Sequence, residues 1–247
     1  MDPVARIRAA IKAAGDPVRA AEQQRYMKSA MPYRGISSPE LRALLRPILA
    51  DYRPAGREGW AHDVRELWDG ATFREERYAA TALARHRLAR DWQDLESLGL
   101  YRHLVVTGAW WDHVDEIAAH LAGAALAARR PEVTPVLRDW ARADDLWLRR
   151  TAVLAQLRHA ADTDQALLRD VIEANLADPS FWLRKAIGWA LRQYARTDPC
   201  WVAAEVDRLG DRLAPLSRRE ATSTCRQCPE VGVSAVCAGP CWDPPGT

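Results

Sequence analysis

The sequence predicts an all-α protein, built as a solenoid of stacked helix pairs, on three observations. Ala, Leu and Arg dominate its 247 residues, strand-like alternation is scarce, and most windows carry apolar residues at helical spacing. A Trp-Leu-Arg-basic motif begins at Trp147 and again 35 residues later at Trp182. Cap residues and first-turn prolines precede many of the apolar segments. Because helix pairs of this length cannot bury their apolar faces alone, stacked neighbours must complete the core.

In the first half of the chain, capping signals and apolar spacing place the helices in order. Asp2 and Asp16 each precede Pro-Val, and Ser37 begins an SSPE capping motif. The segment ERYAATALARHR, from Glu76, lies about two repeats before the Trp147 motif and places Arg77 at a matching position. The predicted helices are 3–14, 17–29, 38–50, 56–69, 74–89 and 91–106.

In the second half, acids recur where helices begin and suit the positive end of the helix dipole. Asp145, Asp164, Asp178 and Asp198 are examples, and Pro131 is a first-turn proline. The predicted helices are 110–128, 131–143, 145–160, 164–177, 180–196 and 199–209. Stacked pairs of this kind curve and leave a concave groove, which is where a functional site is expected.

The domain boundary is predicted at residue 221. Residues 1–221 form the repeat domain, and residues 222–247 form a Cys-, Pro- and Gly-rich tail that we expect to be flexible. Four of the five cysteines lie in that tail, so disulfides cannot hold the main body together. They form CxxC and CxxxC motifs that could hold zinc if the thiolates converged, but the loop between them is short for such a site. We therefore expect no metal.

Charge and hydropathy restrict the possible partners. The chain has 35 basic and 33 acidic residues, a formal charge of +2, which by itself does not indicate a polyanion partner. It has no apolar run of membrane-spanning length and no leader-like start. The histidines form no HExxH motif, and there is no glycine-rich phosphate loop. We expect a soluble, cytoplasmic monomer that needs no cofactor and contacts no membrane.

The segment TGAWWDHVDEIAAHL contains adjacent tryptophans. Trp110, Val114, Ile117 and Leu121 share one helical face and are predicted to be core. Trp111 lies about 100° around the axis from Trp110 and one turn before Asp115, so an indole and a carboxylate share the flank of the buried stripe. This flank is either a packing surface with a solvated acid or a functional site.

Two further positions in the C-terminal repeats allow alternative interpretations. Trp189 lies in a basic stripe with Lys185, Arg192 and Arg196, and can either pack between helices or present a ligand face. Arg150 interrupts the apolar stripe of its helix. Its guanidinium needs either a carboxylate, for which Asp115 is a candidate, or a phosphate in the groove.

Five motifs occur in order between about Tyr26 and Ala221: RYMKSAMPYRGISSPELR, TGAWWDHVDEIA, DLWLRRTAVLAQL, FWLRKAIGWALRQYARTDP and LSRREA. Together they resemble the AlkD-like DNA alkylation repair family. The resemblance implies a right-handed superhelical solenoid of HEAT-like helical repeats. It also implies a DNA glycosylase of base excision repair, a hydrolase that removes cationic alkylated purines such as 3-methyladenine, 7-methylguanine or bulkier N3 and N7 adducts from duplex DNA.

The resemblance also assigns residues. Trp111 and Asp115 match the family's catalytic aromatic and carboxylate, and Trp189 matches its second active-site tryptophan. Arg150 matches an arginine that contacts the DNA backbone. The motifs also imply DNA-facing roles for three more residues: Tyr26, Lys185 and Arg192.

The alternative function is a noncatalytic helical-repeat scaffold that binds nucleic acid or a protein. In that class Trp111 and Trp189 would be packing residues, and Asp115 would only partner an arginine.

Overall fold

The computed structural model describes residues 2–223, and within this range the chain forms fourteen α-helices and no strand, as predicted. The first seven helices are α1 (Pro3–Ala13), α2 (Pro17–Met27), α3 (Ser38–Asp51), α4 (Gly56–Asp69), α5 (Arg74–Ala84), α6 (Leu98–Gly108) and α7 (Trp111–Ile117). The others are α8 (Gly123–Ala128), α9 (Arg130–Trp140), α10 (Leu146–Leu154), α11 (Gln165–Glu173), α12 (Phe181–Tyr194), α13 (Pro199–Leu209) and α14 (Pro215–Thr222).

The helices stack in two layers. In the first row, α1, α3, α5, α7, α10, α12 and α14 each contact the next helix named. Helices α4 and α6, and likewise α9 and α11, contact each other behind this row. Across the layers, several sequence neighbours contact each other, among them α4 and α5, α6 and α7, and α10 and α11. The arrangement is the repeated helix pair that the 35-residue spacing predicts.

Local capping explains why many helices begin where they do. The side chain of Asp145 accepts hydrogen bonds from the backbone N–H groups of Trp147 and Leu148, and Asp16 and Asp164 cap their helices similarly. Ser37 and Glu40 form the reciprocal capping box that the SSPE motif predicts. The sequence signals therefore fix these helix starts.

The repeated tryptophans pack against each other. Trp147 and Trp182 occupy the second position of α10 and α12, and their ring centroids are 5.6 Å apart. Trp110 contacts both rings, at 6.1 Å and 5.5 Å. Aromatic pairs at such separations add stability beyond their buried area. The tryptophans of the repeated motif thus also form a contact between successive repeats.

Trp110 differs from the prediction in its backbone. Val114, Ile117 and Leu121 are fully buried, as expected. Trp110, however, precedes the helix with an extended backbone, φ −153° and ψ 146°, and is only partly buried. It packs beside the tryptophans of the next repeats and is not the first position of the helical core stripe.

The largest difference from the predicted helices lies between residues 85 and 97. Helix α5 ends at Ala84, a 3₁₀ helix follows over Arg87–Trp92, and α6 begins only at Leu98. The buried Gln93 side chain donates to the carbonyl oxygens of Ala84 and Ala89, and Ser97 donates to that of Trp92. Side chains that satisfy the backbone in this way favour a turn over a continuous helix.

The C-terminal end of the described chain also differs from prediction. Helix α14 was not predicted, although it packs closely on α12. The predicted tail of residues 222–247, with its four cysteines, lies outside the described residues apart from 222 and 223, and so does any zinc site there. Within residues 2–223 no helix is both long and apolar enough to cross a membrane.

The segment predicted as helix 110–128 is helical from residue 111 onwards, but the helix is irregular at its centre. Helix α7 passes into a π-helical turn, Ala118–Ala122, and then into α8. Gly123 begins α8 where it approaches α10, and a Cβ there would lie 2.4 Å from the carbonyl oxygen of Ala155. A π-helical turn within an α-helix is rare and often accompanies a functional site.

We expect Gly123→Ala to lower the free energy of unfolding by about 1–3 kcal/mol, because the new methyl group would overlap backbone that cannot move independently. Gly99→Ala in α6 is the matched control, since its Cβ would meet no atom within 4 Å. Because alanine gives the unfolded chain less conformational freedom than glycine, Gly99→Ala should raise the free energy of unfolding by about 0.4–1 kcal/mol. Urea unfolding of both variants measures the difference, and equal effects would contradict the close approach.

Candidate active site

The site predicted from the sequence is centred on the first turns of α7. Trp111 is the first residue of this helix and Asp115 follows one turn later, so both lie on one flank. Trp111 is partly buried against the core, and the Asp115 side chain is 14% exposed. The Asp115 side chain is therefore largely buried and keeps a small exposed part.

Asp115 forms a two-pronged ion pair with Arg150 of α10. Arg150 Nε donates to Oδ1 at 2.7 Å and an Nη donates to Oδ2 at 2.8 Å. The other Nη of Arg150 donates to the carbonyl oxygen of Trp182, at 2.5 Å. The arginine is only 4% exposed, so α7, α10 and α12 meet at one buried guanidinium. Of the two partners that the sequence allows for Arg150, a carboxylate or a phosphate, the structure shows the carboxylate.

Burial and the neighbouring Arg150 have opposite effects on the ionisation of Asp115. Burial opposes the charged form of Asp115 and raises its pKa, while the positive charge and hydrogen bonds of Arg150 limit the rise. An aspartate this buried would otherwise tend to take up a proton. Arg150 is therefore the group that favours a carboxylate at this position.

Trp189 lies on α12, beside the helix that carries Arg150. It is partly buried against the core and stands seven residues, about 10 Å along the axis, after Trp182. The structure thus places Trp111, Asp115, Arg150 and Trp189 on three consecutive helices of the first row.

The other predicted DNA-facing residues have different surroundings. Lys185 and Arg192 of α12 both form ion pairs with Glu220 of α14, at 3.0 Å in the case of Arg192. Tyr26 of α2 is 63% exposed. DNA binding by these three residues stays a prediction.

A second buried Arg–Asp pair joins α7 to the preceding helix of the first row, α5. Arg74, at the start of α5, forms an ion pair with Asp112 of α7, and Tyr78 donates its hydroxyl to Asp112 Oδ2 at 2.5 Å. Side-chain exposure is 5% for Arg74 and 11% for Asp112. Asp112 is not among the predicted site residues. Its only signal in the sequence is the first aspartate of WWDHVD, which does not indicate a partner.

A basic cleft in the first row was also missed. It lies between α3 and α5, has a volume of about 400 Å³, and has an apolar floor that includes Leu45 and Leu49. Four arginines line it: Arg42, Arg46, Arg85 and Arg87. Arg85 pairs with Glu116 of α7, whereas the other three have no ion-pair partner within residues 2–223. The i, i+4 spacing of Arg42 and Arg46 was the available signal.

One cluster among the described residues has ligand types suited to a metal. Atoms of His62, Asp63 and Glu66 on α4 lie within 4.8 Å of one another. Asp63 accepts a hydrogen bond from Tyr52, at 2.8 Å, and Glu66 pairs with Arg8 at 3.7 Å. The cluster is on the second layer, away from α7, and its groups already have protein partners.

Fold and geometry together define a class of protein: a helical-repeat protein with a buried arginine–carboxylate pair flanked by tryptophans. A family model described as "DNA alkylation repair enzyme" matches residues 7–224. The chain belongs to this family.

A solved structure supports the same relationship. The chain is similar to a predicted DNA alkylation repair enzyme from Enterococcus faecalis, with 30% sequence identity and a TM-score of 0.76. The similarity covers 87% of this chain and 98% of the other. No curated protein matches the sequence significantly.

His113 of α7, beside Asp112, is a buried imidazole whose two ring nitrogens have no hydrogen-bond partner within residues 2–223. It packs between Trp68 and Tyr78, with ring centroids 5.2 Å and 5.0 Å away. Burial lowers its pKa to about 3. The imidazole is therefore neutral and packs α7 against α4 and α5.

We expect the free energy of unfolding to fall as the pH is lowered from about 6.5 towards 3, by about 1.4 kcal/mol per pH unit from His113. Over this range the unfolded imidazole binds a proton that the folded one does not, so acid favours unfolding. Chemical unfolding at several pH values measures the slope. His113→Leu should reduce it, and an unchanged slope would contradict the neutral buried state.

Proposed function

We propose that the protein is a DNA glycosylase that hydrolyses the N-glycosidic bond of cationic alkylated purines in duplex DNA. Family membership supports a role in repairing alkylated DNA. The glycosylase chemistry is our inference from the largely buried carboxylate of Asp115, held by Arg150 one turn after Trp111. This pair is the observation on which the proposal rests.

The proposed reaction uses the charge that the lesion already carries. A purine alkylated at N3 or N7 is cationic and leaves as a neutral base, so the enzyme does not have to protonate it. As the bond to deoxyribose breaks, positive charge develops on the sugar. The carboxylate of Asp115 stabilises that charge and orients the attacking water at the sugar carbon.

The tryptophans favour the same charge distribution. The electron-rich faces of Trp111 and Trp189 attract the cationic base or sugar by about 0.5–2 kcal/mol each. Because the side chains come from α7 and α12, the site depends on the stacking of successive repeats.

DNA binding is supported by the distribution of charge and not by its total. The cleft between α3 and α5 presents Arg42, Arg46 and Arg87 on the same row of helices as Asp115. Guanidinium groups suit backbone phosphates, and binding of this kind weakens as salt rises.

The principal test is release of 7-methylguanine and 3-methyladenine from methylated duplex DNA by purified protein. We expect Asp115→Asn to slow release by about 100-fold or more while DNA affinity is retained, because the variant lacks the charge that stabilises the sugar cation. Asp94→Asn is the matched control. It breaks another two-pronged arginine pair, with Arg57, outside the proposed site.

The outcomes of this test separate the two functional classes. Release lost in Asp115→Asn and kept in Asp94→Asn supports the glycosylase. Wild-type protein that binds DNA but releases no cationic base would instead favour the noncatalytic scaffold.

A pH profile tests the role of Arg150. We expect Arg150→Gln to move the acidic limb of the release rate to higher pH, because without the guanidinium the pKa of the buried Asp115 rises further. Arg150→Lys keeps the positive charge and should shift the limb less, although the planar two-pronged contact is lost. Single-turnover rates between about pH 5 and 8 measure the shift. Profiles that coincide with the wild type would contradict this role.

A further inference from the structure

The N-terminus of α7 lacks the usual local support. Trp110 occupies the position before the helix and makes no side-chain capping hydrogen bond, and after seven residues the helix passes into the π-helical turn. An uncapped helix end leaves backbone N–H groups without internal partners and tends to fray. Trp111, the first residue of α7, nevertheless belongs to the proposed site and must be held in place.

Side chains from another repeat provide the missing support. Asp112 lies in the first turn of α7, and both of its carboxylate oxygens contact Arg74. Tyr78, one turn along α5 from Arg74, donates to the same carboxylate. Arg74 Nε in turn donates to the Tyr78 hydroxyl at 3.3 Å. The three groups form a closed, nearly solvent-free triangle, in which charge-assisted hydrogen bonds are strong.

The triangle is itself fixed to the segment between α2 and α3. The Tyr33 hydroxyl lies 3.0 Å from that of Tyr78, and Arg74 donates to Ser29 Oγ at 3.3 Å. The adjacent Glu75, fully buried, accepts hydrogen bonds from the backbone N–H groups of residues 34 to 36. Arg74 therefore has little freedom to move, and neither does the carboxylate that it holds.

Helix α7 is thus held from both sides by equivalent contacts. Arg74 of α5 holds Asp112, and Arg150 of α10 holds Asp115, one turn further on. The second pair belongs to the proposed site. Asp112, in the first pair, stands three residues before Asp115 and therefore lies next to it on the helix surface. Since a helix turn moves as a unit, a shift at Asp112 is transmitted to the residues on either side of Asp115.

We propose that Asp112 is a positioning residue which, through Arg74 and Tyr78, sets the location of Trp111 and Asp115 relative to the damaged nucleotide. Asp112 does not contact the substrate in this scheme. The inference rests on the proposed glycosylase function for its catalytic readout, but the positioning itself can be measured without DNA.

The first arm of the test measures catalysis and binding separately. Tyr78→Phe removes one hydrogen bond to Asp112 and no charge, and Asp112→Asn removes the ion pair. We expect single-turnover release of 7-methylguanine to fall about tenfold in Tyr78→Phe and up to about 100-fold in Asp112→Asn, with DNA affinity within about twofold of the wild type. Arg74→Gln combined with Asp112→Asn leaves no unpaired buried charge and should fold, yet release should stay low.

The second arm observes Trp111 directly. In protein labelled with 5-fluorotryptophan, the ¹⁹F resonance absent from Trp111→Phe identifies Trp111 among the 11 tryptophans. We expect this resonance to shift or broaden in Tyr78→Phe and Asp112→Asn. Tyr52→Phe is the control, because its hydroxyl donates to Asp63 at 2.8 Å in an equivalent tyrosine–aspartate contact on the other layer.

A changed Trp111 resonance with slower release and retained affinity supports the proposal. It is overturned if folded Tyr78→Phe and Asp112→Asn keep the wild-type resonance and rate, if only DNA affinity falls, or if Tyr52→Phe changes Trp111 equally. Should the wild type release no base, the glycosylase proposal fails, and the resonance alone decides the role of Asp112.

Discussion

The buried ion pair between Arg150 and Asp115 is the interaction on which the proposed site depends. A guanidinium at 4% exposure would be strongly destabilising without a carboxylate partner, and within residues 2–223 Asp115 of the neighbouring repeat is that partner. Because the same arginine donates to the carbonyl oxygen of Trp182, one charge joins α7, α10 and α12. The requirement to neutralise this charge therefore also determines where the carboxylate stands.

Repetition explains how the site can form at these helices. The Arg150 pair spans 35 residues back to α7, and the Lys185 pair spans 35 residues forward to Glu220 of α14. Similar contacts thus hold successive repeats together. Of these two contacts, the one at Asp115 lies one turn after Trp111, in a helix that soon becomes irregular. A contact that stabilises the solenoid in this way also holds the carboxylate of the proposed site.

Sequence reasoning succeeded where periodicity or local chemistry decides the structure. It predicted the helical class, the capped helix starts and the burial of Val114, Ile117 and Leu121. It failed where individual side-chain contacts decide. Gln93 and Ser97 end the predicted helices through bonds to nearby carbonyl oxygens, which the apolar periodicity does not reveal. The partner of Arg150 was suggested by the repeat spacing, whereas that of Asp112 was not, since Arg74 stands at the first position of α5 and outside the repeated motif.

The paired state of Asp115 restricts the proposed chemistry. With Arg150 bound to both oxygens, the carboxylate stabilises less positive charge than an isolated one would, and the pair is nearly neutral overall. Neither a guanidinium nor an indole is an acid that can protonate a leaving base. A site of this kind accelerates the departure only of a base that already leaves readily. Lesions that carry their own positive charge meet that condition, and undamaged purines do not, so the arginine that stabilises the fold also limits the substrates.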